Sequence, residues 1–412
     1  MTSAQVSLFK SETSSGRVTA RIRTGGEEVI HGMADCWRKL CDETGSAPFH
    51  RPEWIAAYLR AFEPGSEVVL ATASAGERLV AVLPMVRKKC WYAGVPVTML
   101  AGAGNAHSVH FEIVRSACPD GQAALHAIWD LLRRDPGWQI LQVPVFPQGG
   151  ACEQLIDLAR RDGHRTLTFL FQECPVLQMQ NDADGRLNWL GGTSRHFRHE
   201  LRRYARLLEE ETGHKPVLQR WNGPDPEVMR KFFELEAAGW KGQEGSAIRC
   251  EPATRAFYEQ IAREAAEQGY FCLHSLQANG AMTAGAFSVF TEQTFFPMKI
   301  AHDEALRRGG PGHLLFNGIL EECAKNGIPE LFFGGNKDRY KTSWTSQTLP
   351  HFNGFIFSTG LRAQLAYALR TRVLSPLGQL RRRFRERLAE RKNAPRTGPG
   401  DGAKQEILTP ER

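Results

Sequence analysis

Apolar positions begin to organise near residue 29, and from there two spacings alternate along the chain. Spacing of three and four residues predicts helices over 29–44 and over 121–135 (GQAALHAIWDLLRRD). FHRPEWIAAYLRAF (49–62) reads as an extended entry followed by a helix. Between these, two apolar runs parted at Ala75–Gly76–Glu77 predict a hairpin over 68–89. WQILQVPVF (138–146) predicts a buried strand. The same order then returns. FCLHSLQANGAMTAGAFSVF (271–290) is strand, Asn279–Gly280 turn and strand, and TFFPMKIAH (294–302) is a further strand. GHLLFNGILEECAKNG (312–327) is a helix stopped by Gly327, and ELFFGG (330–335) a short apolar strand. The hairpin turns lie about 200 residues apart. This repetition of pattern, without identity, predicts two similar mixed α/β halves.

Between the halves lies GGTSRHFRHELRRYARLLEEETG (191–213). Phe197, Leu201, Ala205 and Leu208 make one helical face, and Thr193 or Ser194 can cap its start. Arg195, Arg198, Arg202, Arg203 and Arg206 cover much of the rest. Guanidinium groups so gathered are either a solvated face or a wall for an anionic substrate.

Composition narrows the picture. At 412 residues and 42% hydrophobic content, the chain has room for two domains and a tail. No apolar run reaches about 18 residues, and MTSAQVSLFKSETSSG lacks a signal-peptide core, so a cytoplasmic protein is expected. Nine scattered cysteines with no C-x-x-C argue against disulfides and zinc, and no metal is expected. The net charge of +7 is uneven: residues 361–393 hold ten Arg/Lys against two Glu, a balance of +8, and residues 394–412 balance to zero. Residues 1–360 therefore sum to −1, which argues against a nucleic-acid partner. The tail is a basic amphipathic helix interrupted at Ser375–Pro376, with Leu377, Leu380, Phe384 and Leu388 among its arginines. Such a segment can lie on an anionic membrane or pack on its own domain. Residues 1–28 and 394–412 are expected to be disordered.

RRGGPGHLL (307–315) follows a strand and opens a helix. Glycines there let main-chain N–H groups approach a ligand, and the helix start attracts anions. Neither the G-x-G-x-x-G order nor a Gly-Lys-Ser/Thr follows, which excludes the Rossmann and P-loop readings. Arg307-x-x-Gly310-x-Gly312 resembles the Arg/Gln-x-x-Gly-x-Gly/Ala loop of the GCN5-related N-acetyltransferases. FHRPEWIAAYLRAF, SRHFRHELRRYARLLEE, ELEAAGWKG, MKIAHDEALRRGGPGHLL and FFGGNKDRYKTSW, in that order over roughly residues 30–360, resemble the CelD-like acetyltransferases of bacterial polysaccharide gene clusters. These are similar to the Fem-type aminoacyltransferases, which pair two such domains.

The resemblance implies an α/β (α+β) chain with tandem acetyltransferase-fold domains over 29–180 and 181–360, each a mainly antiparallel sheet flanked by helices, the second holding the acyl-CoA site. It implies acetyl-CoA or another acyl-CoA as donor, with Arg307, Gly310, Gly312, His313 and Leu314 at its phosphates. Main-chain groups of the strand Phe296–Ile300 would polarise the thioester carbonyl. AGAGNAHSV (101–109) lacks an arginine and an immediate helix, so one cofactor site is expected. Asp303 and Glu236 are the candidate proton acceptors, and Tyr340 the acid for the leaving thiol. Arg198, Arg202, Trp240, Lys241, Lys341 and Trp344 are the candidate contacts to a sugar or nucleotide-sugar acceptor in exopolysaccharide synthesis. Two alternatives stand beside this: a Fem-type aminoacyltransferase on a cell-wall precursor, and a non-catalytic scaffold of a polysaccharide synthase.

Overall fold

The computed structural model describes residues 9–12 and 18–374. Its spine is a fourteen-stranded sheet. From one edge to the middle the strands are Phe9–Glu12, Val18–Gly25, Glu67–Ala75, Arg78–Tyr92, Val95–Gly102, Ile140–Pro147 and Thr348–Phe357. Arg165–Gln178, Glu330–Phe332, Thr294–His302, Ala281–Phe290, Phe271–Ala278 and Val217–Trp221 complete it, and the short strand Val114–Arg115 pairs beside Arg78–Tyr92. Neighbours are antiparallel except at two places, Val95–Gly102 with Ile140–Pro147 and Thr294–His302 with Glu330–Phe332. Each parallel pair is joined by one crossover helix, Pro119–Arg134 and Pro311–Lys325, because parallel strands cannot be joined by a tight turn. This is the mixed α/β architecture that the periodicity predicts, mostly antiparallel as the resemblance implies; each half holds a hairpin–strand–helix–strand unit, of which the strand Val95–Gly102 was not expected.

Local chemistry accounts for the elements. Asn279 and Gly280 both take positive φ (51° and 71°), the geometry that a two-residue hairpin needs. The helix Arg195–Thr212 is capped by Ser194, whose Oγ accepts from the Phe197 N–H at 3.1 Å, and it ends at left-handed Gly213. The helix expected over 29–44 is broken at Gly32–Met33 into Glu28–His31 and Ala34–Thr44.

Three expectations are corrected or bounded. Residues 18–25 are not disordered: they form a strand paired with Glu67–Ala75, with Val18, Ala20 and Ile22 buried on one face. Every second residue is apolar there, which suffices for a half-buried strand even at low overall hydrophobicity. A cut near residue 180 does not separate two sheets. Thr348–Phe357 sits between Ile140–Pro147 and Arg165–Gln178, and Val176–Gln178 pair with Glu330–Phe332. Of the tail, residues 361–369 are helical and the turn continues to Leu374, whereas 375–412 lie outside the described residues.

One apolar core spans both halves. Phe49, Trp54 and Tyr58 of the first pack with Phe232, Phe257, Phe271 and Phe287 of the second. Glu53 is buried at this junction, paired with Arg51 and Arg38, and it accepts a 2.9 Å hydrogen bond from the Tyr270 hydroxyl. Burying a carboxylate is costly unless such partners accompany it.

Candidate functional site

The second half's parallel strands stay together only briefly. Thr294 pairs with Glu330 and Phe295 with Leu331. One strand then runs on to His302, while its partner ends at Phe332 and turns through Gly334 and Gly335 at φ 62° and 60°. The register with Ala281–Phe290 shifts at Phe287/Ser288, so Met298 is an extra residue on the diverging strand. A bulge of this kind withdraws main-chain groups from the ladder. The result is a wedge with unladdered backbone on one wall. The first half begins to diverge in the same way, after Ala101 and Gln142. There its own loop returns: the Phe111 N–H donates to the Val145 carbonyl at 2.9 Å, and the Phe111 ring lies 2.8 Å from where a Gly102 Cβ would stand.

The glycine-rich loop caps the wedge in the second half. Asp303 caps the turn Glu304–Gly309 by accepting from the Ala305 N–H at 2.9 Å. Two of the glycines are required by the arginine-rich helix. A Cβ on Gly309 would lie 2.9 Å from Leu208, and one on Gly310, at φ 51°, 2.7 Å from the Tyr204 ring. Gly312 is different: its nearest neighbours would be His302 Nδ1 and the Tyr340 hydroxyl, each at 3.6 Å. The helix Pro311–Lys325 begins without a side-chain cap. The Leu314 N–H is taken by the Gly310 carbonyl at 3.1 Å, which removes it from the candidate phosphate ligands. That leaves the first-turn N–H groups of Gly312 and His313 facing outward from the helix start. Arg307, Arg308 and Arg202 are exposed and, among the described residues, their side chains carry no ion pair.

An aromatic wall closes this end. Tyr204 stacks on His313 at 5.7 Å, His313 lies 4.5 Å from Tyr340, and the Tyr340 hydroxyl donates to the Gly312 carbonyl at 2.9 Å. Burial holds the Tyr340 phenol well above the usual tyrosine range and pushes the His313 imidazole down to about 4, with neighbouring His302 adding to the second shift. Other expected contacts are placed elsewhere. Trp344 is a core residue, 1% exposed and 4.8 Å from Phe197, so it lines no open surface. The Lys341 ammonium donates to the carbonyls of Gly334 (2.8 Å) and Asn336 (3.0 Å), holding that turn. Glu236 is 2% exposed and accepts from the Ile248 N–H at 2.8 Å, which gives it a structural task. Arg198 donates to the Leu190 carbonyl at 3.3 Å. The side chains of Trp240 and Lys241 lie outside the described residues.

A cleft between the halves was not legible in the sequence. It measures about 510 Å³ and is lined by His50, His110, Glu112, Phe296, Phe332 and Leu349, among others. Phe296 and Phe332 are the residues at which the wedge opens, so the cleft reaches its apex. His50 and His110 lie 5.1 Å apart, and His351 stands 5.4 Å behind His110. One nitrogen of each ring and one Glu112 oxygen lack a partner. Burial pushes His50 down to about 4, lowers His110 and His351, and raises Glu112. Among the described residues no lysine or arginine lines the cleft, and no set of three ligands converges to hold a metal. The one available signal was His110 and Glu112, two apart in an extended stretch and so on one face.

Residues 195–342 match the acetyltransferase (GNAT) domain family. No curated protein matches the chain at the sequence level. Among solved structures the chain is similar to FemX, with 10% identity over 81% of this chain and 96% of that one, at a TM-score of 0.52. It also aligns with a tandem GNAT protein from the clavulanic acid biosynthesis pathway (14% identity, 81% and 98% covered, TM-score 0.42) and with L-PGS from Bacillus licheniformis (10%, 71% and 85%, TM-score 0.41). Arg195 to Thr342 thus match the acetyltransferase (GNAT) domain family, in a chain whose overall fold is similar to that of FemX.

Proposed function

We propose that the protein transfers an acetyl or other acyl group from coenzyme A to an amine or hydroxyl of a sugar or nucleotide-sugar, as in exopolysaccharide synthesis. The observation that carries this reading is the coincidence of the strand wedge with an uncapped helix start at Gly312. The thioester supplies an activated acyl carbon. The N–H groups of Gly312 and His313, with Arg307 and Arg308 beside them, hold the donor's phosphates. The unladdered backbone around Met298 polarises the thioester carbonyl. The acceptor nitrogen or oxygen bonds to the acyl carbon and the C–S bond breaks; the Tyr340 hydroxyl, beside the helix start, gives its proton to the leaving thiolate, and the proton that the acceptor sheds to solvent restores the phenol. The interhalf cleft, with its bare imidazole and carboxylate acceptors and no cation, suits the hydroxyl- or amine-bearing part of the acceptor.

A second reading, aminoacyl transfer of the Fem type, is favoured by the overall likeness to FemX. Calorimetric titration with acetyl-CoA separates the two. Saturable binding by the wild type that is lost in Gly312→Asp supports coenzyme A as donor. A folded wild type that gives no heat sinks that donor and leaves aminoacyl transfer.

A further inference from the structure

The helix Leu361–Leu369 faces the opposite way from an ordinary surface helix. Two of its three alanines are inside: Ala363 and Ala366 are fully buried against Val95, Val97, Phe355 and Phe357. Two of its three leucines are outside, Leu361 90% and Leu365 53% exposed, while Leu369 packs on the core. These two stand one turn apart, and Ala368 and Arg372 continue their stripe at helical spacing. Arg362 and Arg372 are exposed beside them. The sheet under the helix extends the same surface. Phe169 is 41% exposed and stacks on Phe355 at 6.1 Å, and the Arg165 guanidinium lies 5.5 Å from the Tyr367 ring of the helix.

Contiguous apolar side chains in water mark a surface that something covers. Charge selects what that is. The helix opens the stretch 361–393, which carries ten Arg/Lys and two Glu, a net +8. Two copies of the chain meeting here would bring like charges together, which opposes association. An anionic lipid surface meets both demands, with leucine and phenylalanine entering the headgroup–acyl boundary and arginines pairing with phosphate. We propose that the outward face of Leu361–Leu369, together with Phe169, docks the protein on an anionic membrane leaflet. This stands independently of the acyl-transfer reading.

The test is co-sedimentation of the full chain with phosphatidylcholine vesicles and with vesicles that also contain phosphatidylglycerol. The wild type should pellet only with the latter, less so as salt rises. Leu361→Glu/Leu365→Glu, at positions already in water, should keep the wild-type Tm and lower the bound fraction about tenfold. A wild type that stays in the supernatant with phosphatidylglycerol vesicles overturns the proposal. So does a double variant that binds as well as the wild type, since the helix face would then be idle. A dimer in gel filtration that the double variant dissociates assigns the face to a second copy instead.

Discussion

The Tyr340 hydroxyl is tied to the Gly312 carbonyl at 2.9 Å, so the short helix Arg339–Thr342 is latched onto the first turn of the helix that faces the wedge. Because burial keeps this phenol protonated far above neutral pH, it remains a donor under all ordinary conditions. Tyr340→Phe should cost about 1 kcal/mol of stability. If the hydroxyl also protonates the leaving thiolate, kcat should fall about 100-fold with the KM for acetyl-CoA little changed. An unchanged kcat would leave Tyr340 as a latch alone.

Gly310 and Gly312, separated by Pro311, answer to different neighbours. Gly310 is left-handed and pressed against the Tyr204 ring, so Gly310→Ala should destabilise by about 2–4 kcal/mol. Tyr204→Ala in the same chain should return part of that loss. Gly312→Ala meets only ordinary contacts at 3.6 Å and should keep the wild-type Tm while weakening acetyl-CoA binding. Equal Tm losses in the two single variants would refute the distinction, and denaturation curves decide it.

Burial holds His50, His107 and His313 neutral, each pushed down to about 4. An unfolded histidine titrates near about 6.5. Between these values the unfolded chain binds more protons than the folded one, so stability falls as pH drops through that window. The Tm should therefore decline steeply from about pH 6.5 towards pH 4, and His107→Gln should flatten the slope. A Tm that is level across this range would contradict the buried, neutral state of these rings.

Much of this fold was legible locally. The hairpin at Asn279–Gly280, the helix over 121–135 and the loop at 307–315 each announce themselves through turn chemistry or spacing within a dozen residues. What stayed hidden depends on distant partners. Nothing in residues 348–357 says that they pair with 140–147 and 165–178. The interhalf cleft is equally hidden, since His50, His110 and His351 meet from three separate stretches. The glycine motif was half legible. Its sequence located the loop, but only the packing of Tyr204 and Leu208 separates the glycines demanded by the fold from the one open to a ligand.

The insertion of Thr348–Phe357 between Ile140–Pro147 and Arg165–Gln178 also orders events in time. During synthesis the amino-terminal half cannot be completed when its own residues emerge, because the strand that fills its gap comes about 200 residues later. Until then Ile140–Pro147 and Arg165–Gln178 offer bare edges to any passing strand. The middle of the sheet is therefore the last part to close, and the burden of shielding it falls on the interval before residue 357 leaves the ribosome.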